Sequence, residues 1–516
     1  MILDANNKGE LKRLEYYDIA IIGAGTIGLY IANRIHAEKP QLNIILIESG
    51  TEVASSECNS YLSQSTGKYH YGVLDGRASG IGGTSSLWGG QLAEFDELDF
   101  ENKHSLWPIG YEEIQDYYKK VYLHLGLENI KSDKQYSKYF KKLIDSNNKV
   151  EMTYTRWMKQ PNFYKLYKKD VIKNKRLKFI INATANSLKF EGSKASSLQC
   201  VSANSSLFCL KASKFIFASG TIGINQFFLT SQAIGDVPWE NNENVGKYFQ
   251  DHLGGIIGTL NVMNESLFRE FFENQWIKGI KIQPKLKFSK TNRDTQKNGV
   301  VIFFSYKSKY EDSVLRIKQF IRGVNKEKRF NDFIVFFKDL YLIRKNLIQM
   351  IYKLFFKNRV HAIIDSKQSI QINIQSEQIP FKDSQIKLVN DKKLKNGLIK
   401  VNVCWAISGD ERIAIKKISK EVDNFLKENG VGNINFLKNE QSEILDDLKD
   451  TYHQCGGLIM STSKELGVVD KDCRVWDTEN VWVAGSAVFP SSSHANSTLT
   501  ALALSERLVQ NLVFDM

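Results

Sequence analysis

The chain has 516 residues, 42% hydrophobic and 25% charged, with a net charge of +13. This is the composition of a globular protein with enough apolar sequence for two large or three smaller domains. Six scattered cysteines without a Cys-x-x-Cys pair exclude a disulfide framework or a cysteine zinc site, and no run of 18 uncharged apolar residues predicts a membrane-spanning helix.

The polar segment from Met1 to Glu15 carries no apolar signal core, so no export signal is expected. Residues 16–50 then read strand, glycine turn, helix, strand. Gly23 permits the tight turn, Gly25 lets a pyrophosphate approach the backbone, and Gly28 lets the helix pack on the strand. Glu48 closes the second strand, where a carboxylate can bind a ribose hydroxyl. The helix N-terminus faces the phosphates. This unit predicts a dinucleotide site and leaves FAD and NAD open.

Residues 72–92 are rich in glycine, and 111–125 have helical spacing. Alternating apolar runs from 176 to 217 read as strands. The last of them, Lys214 to Gly220, is followed by a helix through Leu229. Residues 280–305 and 360–407 read as strands of a second domain, 410–428 as a helix, and 467–513 as strand, turn, strand, loop and final helix.

The segment from Gly76 to Gly90, including Gly83, Thr84, Ser85, Trp88 and Gly89, resembles the glucose–methanol–choline (GMC) oxidoreductases. The resemblance continues at Trp107–Tyr118, Ala218–Gly220, Asn244–His252 and 451–513. It implies an α/β fold, in which a Rossmann-like FAD-binding domain is interwoven with an α+β substrate domain built on an antiparallel sheet. The implied FAD-binding parts are 15–104, 166–255 and 451–516. Residues 105–165 would form a substrate-domain or lid segment, and 256–450 the substrate domain with a basic insert at 306–360. FAD would lie against Gly23, Gly25, Thr26, Ile27, Gly28, Glu48, Ser49, Arg77, Gly83, Thr84, Ser85, Trp88, Gly89 and Gly90. Its later contacts would be Ala185, Ala218, Ser219, Gly220, Gly485, Ser486, Asn496, Ser497 and Thr498. Sugar oxidases of the pyranose type place a flavin-linking histidine just before the tryptophan. Leu87 stands there, so non-covalent FAD is expected.

The resemblance also assigns a catalytic pair, His453 and Asn496. Oxidising an alcohol removes a hydroxyl proton and a hydride from one carbon, and the hydride goes to flavin N5. A neutral imidazole accepts the proton near pH 7. An amide holds the hydroxyl without competing for its proton. Asn496 is also expected to cap the terminal helix, whose N-terminus favours negative charge on the reduced flavin. His494 reads as a bystander and His252 as packing. No metal ligand set is expected among His36, His70, His104, His124, His252 and His361.

Residues 306–360 hold 14 Lys/Arg and 5 Asp/Glu, which is +9 of the +13. No nucleic-acid-binding module accompanies them, so no nucleic-acid partner is expected. Within 333–357, apolar positions at helical spacing flanked by lysines predict an in-plane helix on an anionic membrane surface. A helix packed on the substrate domain is the other reading. The sequence-based expectation is thus an oxidoreductase acting on a CH–OH group of a sugar or sugar derivative, with O2 or a quinone as electron acceptor. It would be cytoplasmic, extending to the inner face of the cell membrane. The alternatives are an FAD-containing lyase or isomerase of the same fold and a non-catalytic peripheral membrane protein.

Overall fold

The computed structural model describes residues 1–56, 63–101, 106–127, 132–140, 148–306, 310–322, 330–357, 370–437 and 444–514. Cys58, His104 and His361 fall outside them, as do 307–309, 323–329 and 358–360 of the basic insert. The five described cysteines are free thiols.

Three sheets organise the chain. The first runs, from one edge, Ile2–Asp4, Leu177–Ile181, Ile44–Ile47, Tyr16–Ile22 and Leu207–Phe217, with Val481–Val483 alongside the last. All these pairings are parallel. Lys194–Ser202 and Ala183–Glu191 extend the sheet as an antiparallel meander. The sheet takes in a strand, Ile2–Asp4, ahead of the expected start at residue 15. The central strands carry near-continuous apolar runs because helices cover both faces of a parallel sheet. The terminal helix Thr498–Phe514 packs against Thr26–Glu38 and Tyr111–His124. Its buried Glu506 accepts hydrogen bonds from Tyr30 Oη at 2.9 Å and Arg34 Nε at 3.0 Å, which ties the end of the chain to the first helix.

A second, eight-stranded sheet is antiparallel. Its order is Gly432–Phe436, Leu253–Val262, Ile370–Ser376, Val300–Tyr306, Ile280–Phe288, Val150–Trp157 and Gln91–Leu92, and Gln275–Ile277 also pairs with Ile280–Phe288. The third has five strands, Cys455–Gly457, Lys247–Gln250, Gln385–Lys393, Ile399–Trp405 and Ser63–Gly67. Strands from 385 to 405 therefore do not join the large antiparallel sheet. They pair with Lys247–Gln250 and Ser63–Gly67, from the middle and first stretches of the nucleotide-binding part, and this weaves the two domains together.

The helix after Gly220 runs Thr221–Ile234, past the expected end at Leu229. The basic insert forms two helices, Glu311–Arg322 and Phe330–Lys357, packed on each other. Arg316 pairs with Asp339 at 2.7 Å, and Phe320 stacks on Phe336 with centroids 4.3 Å apart. Among the described side chains of the longer helix Asp339 and Ile343 are buried, while Phe337, Tyr341, Ile348 and Phe355 are 63–74% exposed. No described helix is long and apolar enough to cross a membrane.

Candidate active site

The parallel strands end together at Gly23, Glu48, Ala218 and Ala484. Ligands of α/β sheets bind beyond such carboxyl ends, and a cavity of about 860 Å3 lies there. Gly23, Gly25, Thr26, Ile27, Glu48, Ser49, Arg77, Gly83 and Thr84 line it, together with Ala185, Ala218, Ser219, Gly220, Gly485, Ser486, Ser497 and Thr498. Gly23 turns at φ +108°. A Cβ on Gly28 would meet Gly23 O at 1.9 Å, so this glycine packs the helix on the turn. A Cβ on Gly83 would come within 3.0 Å of Gly25 Cα. The two glycine loops thus pack directly on each other, where side chains would clash, and together line the cavity as a cradle. Such a cradle, at a helix N-terminus and beside a buried carboxylate, fits a dinucleotide cofactor.

Glu48 also organises the protein itself. One carboxylate oxygen accepts from Ala24 N at 3.0 Å, and the other from Gly50 N at 2.9 Å and Gly80 N at 2.8 Å. It thereby fastens the glycine-rich segment to the first nucleotide turn. Ser85, Trp88, Gly89 and Gly90 are not on the cavity wall. Ser85 Oγ accepts from Phe163 N, and Trp88 Nε1 donates to Pro161 O at 2.8 Å. Gly90, at φ +78°, lies where a Cβ would strike Pro161.

Sheet register assembles the catalytic candidates. Lys247–Gln250 pairs antiparallel with Cys455–Gly457, with Gln250 opposite Cys455. Asp251 and His252 follow one strand and His453 precedes the other, so all three meet at one end. Asp251 Oδ1 accepts from the backbone N of His252 at 2.7 Å and from those of Thr451 and His453, each at 3.1 Å. His70 Nε2 contacts the other oxygen at 3.1 Å.

His453 lines the nucleotide cavity. Its Nδ1 lies 2.8 Å from Thr451 Oγ1, which is 3.4 Å from Asp251 Oδ1. The carboxylate accepts the hydroxyl hydrogen, so Thr451 Oγ1 accepts from His453 Nδ1–H. This tautomer leaves Nε2 with a free lone pair, the form a general base needs. Burial, followed by the neighbouring His252, pushes the His453 pKa down to about 3. The ring is therefore neutral at ordinary pH.

His252 is more than packing. Its Nε2 bonds Ser492 O at 3.2 Å and its Nδ1 accepts from Gln375 Nε2 at 2.9 Å. Gln375 Nε2 also reaches His494 O at 2.8 Å and Asn496 Oδ1 at 3.3 Å. Asn496 Nδ2 lies 3.4 Å from Gln91 O. The terminal helix begins at Thr498, which puts Ser497 rather than Asn496 in the cap position. The Asn496 side chain is turned away from capping by these two contacts.

Asn496 lines a second cavity of about 500 Å3, walled also by Tyr154, Arg156, Lys285, Lys287 and His494. Ser497 belongs to the nucleotide cavity and its neighbour Asn496 to this one, so the catalytic candidates stand where the two meet. The His494 ring is no surface bystander. It is 7% exposed, its Nδ1 is unpartnered among the described residues, and burial pushes its pKa down to about 3. Two groups gather possible metal-ligand atoms: His70, Asp251 and Asp450, and Asp96, Asp99 and His494. Within the protein, Asp96 pairs with Lys287, Asp99 with Arg293, and Asp251 with His70.

Residues 380–505 match the family model for GMC oxidoreductases. The long-chain-alcohol oxidase FAO4A of Arabidopsis thaliana is 27% identical over 153 residues, which are 29% of this chain and 19% of that protein. The match thus spans about a fifth of the relative's length. Pyridoxine 4-oxidase from Mesorbium loti superposes with TM-score 0.59 at 14% identity, covering 96% of this chain and 99% of the other. A fungal aryl-alcohol oxidase gives 0.57 at 13%, covering 97% and 99%. An FAD-dependent oxidoreductase from Chaetomium thermophilum gives 0.59 at 13%, covering 97% and 99%. The chain has the fold of these oxidases. The stretch matched by the GMC oxidoreductase model, residues 380–505, carries His453 and Asn496.

Proposed function

We propose that the chain is an FAD-dependent oxidoreductase that oxidises the CH–OH group of a small polar alcohol, of the sugar or sugar-derivative class. The observation that carries this reading is the Nε2 of His453, unpartnered among the described residues and held in its basic tautomer on the wall of the nucleotide cavity. FAD would be held by the Gly23–Gly28 turn, the Gly83 loop, Glu48 and the start of the terminal helix, and when bound would accept the substrate hydride. His453 Nε2 takes the hydroxyl proton. Asn496, fixed by Gln375 and Gln91, orients the hydroxyl from the second cavity. Asp251 and Thr451 hold the His453 ring. With Leu87 in place of a linking histidine, the cofactor is read as non-covalent. Anaerobic bleaching of the FAD-loaded protein by sugars and other alcohols tests the reading.

The same proposal places the protein on an anionic bilayer through 333–357. The exposed apolar positions, Phe337, Tyr341, Ile348 and Phe355 among them, lie among five Lys/Arg and one Asp of 333–357, within the +9 of residues 306–360. Exposed patches of this kind mark contact surfaces, and the basic excess matches anionic headgroups. Such placement suits a quinone as electron acceptor.

A further inference from the structure

The second cavity holds an ionic arrangement that the alcohol chemistry leaves unexplained. Lys285 lies in the strand Ile280–Phe288 opposite Thr153, is 4% exposed, and lines the cavity that also holds Asn496. The other buried cations of this wall have counterions. Lys287 pairs with Asp96 at 2.7 Å and Glu151 at 3.2 Å, and Arg156 pairs with Asp133 at 3.0 Å. Glu94 accepts from Tyr122 Oη at 2.8 Å. Lys285 Nζ has neither a carboxylate nor a hydrogen-bond acceptor among the described residues. It lies over the face of Phe303, 4.5 Å from the ring centroid.

A buried ammonium without a counterion is costly, because the face of Phe303 replaces only part of the water it has lost. Burial pushes the Lys285 pKa down to about 8. Its charge also lies near enough to His252 and His453 to help keep both neutral. A lysine retained at such a cost, in a cavity open to a ligand, is explained if the ligand brings the missing charge.

We propose that Lys285 receives an oxyanion, a carboxylate or phosphate, carried by the alcohol substrate, so that the second cavity selects acidic alcohols such as sugar acids or sugar phosphates. This rests on the alcohol-oxidoreductase reading and narrows its substrate class. The anion would be held at Lys285 while the hydroxyl reaches Asn496 and His453. The ion pair would form away from water, where charge-assisted hydrogen bonds are strong.

The test is titration calorimetry of the FAD-loaded protein with inorganic phosphate, glucose 6-phosphate, gluconate and glucose, in wild type, Lys285→Met and Lys285→Arg. Lys285→Arg keeps the charge and controls for misfolding. The expected result is that wild type binds one or both classes of anion at least ~10-fold more tightly than Lys285→Met does. Lys285→Arg should retain part of the preference and glucose should be indifferent to the substitution. Preference for the phosphates or for gluconate identifies which oxyanion the site takes. Equal binding of all four ligands by the three proteins, or no binding of any anion by wild type, overturns the inference. Calorimetry does not depend on turnover, so this failure is distinct from that of the oxidoreductase reading. Alcohols that bleach the flavin without any anion preference would leave that reading standing and remove this one.

Discussion

His252 and His453 lie with ring centroids 4.9 Å apart and planes inclined by 31°. His252 is fixed at both nitrogens, by Ser492 O and Gln375, whereas among the described residues His453 is fixed only at Nδ1. One histidine is thus a rigid backing and the other keeps a free nitrogen at the cavity. Gln375 extends this backing to Asn496, so the two catalytic candidates are joined through residues far from either in sequence.

Removing the Thr451 hydroxyl should slow substrate-driven flavin reduction without releasing FAD. Thr451→Val deletes the acceptor for Nδ1–H, a loss of about 1 kcal/mol or roughly fivefold in rate. Thr451→Ser should restore it. Rapid-mixing anaerobic reduction, with FAD content measured alongside, checks this. Equal rates in Thr451→Val and wild type would remove the hydroxyl from tautomer control.

The depressed pKa of His453 sets the pH dependence. A pKa pushed down to about 3 keeps the ring unprotonated as pH falls through the usual histidine range. The limiting rate at saturating substrate should therefore stay level from pH 7 down to 5, with no acid limb near 6.5. A limb near 6.5 that disappears in His453→Ala would show that the ring titrates normally.

The flavin should be released by acid or heat, because Leu87 offers no nucleophile for a covalent link. Denaturing electrophoresis followed by flavin fluorescence checks this. Fluorescence that migrates with the polypeptide contradicts it.

Membrane attachment should depend on both aromatic residues and charge. Replacing Phe337, Tyr341 and Phe355 together by serine should reduce sedimentation with anionic liposomes at least ~10-fold. Raised salt should weaken binding of the wild type. The unchanged flavin content of the triple variant separates lost attachment from lost folding. Equal sedimentation of variant and wild type would assign the surface to another contact.

The nucleotide half was legible because its signals are local. Gly23, Gly25 and Gly28 act within six residues, and Glu48 ends the next strand. The proposed roles of His453 and Asn496 come from resemblance to GMC oxidoreductases. The rest depended on pairings between distant parts of the chain. The Glu48–Gly80 bond spans 32 residues and His70–Asp251 spans 181, and no spacing rule reaches so far. The strands from 385 to 405 read correctly as strands, but periodicity does not say which sheet they join. Asn496 reads as a helix cap by residue type, and only the long-range contacts to Gln375 and Gln91 show otherwise. Lys285 looks like an ordinary outward residue in the alternating run Lys-Ile-Gln-Pro-Lys-Leu-Lys. The sheet is covered on that side by the cavity wall, and this buries it.

The central claim is that His453 takes a proton from an alcohol while FAD takes the hydride. Anaerobic reduction of the FAD-loaded wild type and His453→Ala by the same panel of neutral and acidic alcohols tests it most directly. The account predicts that at least one alcohol bleaches the wild-type flavin and that His453→Ala, still holding FAD, is at least ~100-fold slower with it. Bleaching at equal rates in the two proteins, or none by any alcohol in either, would contradict it.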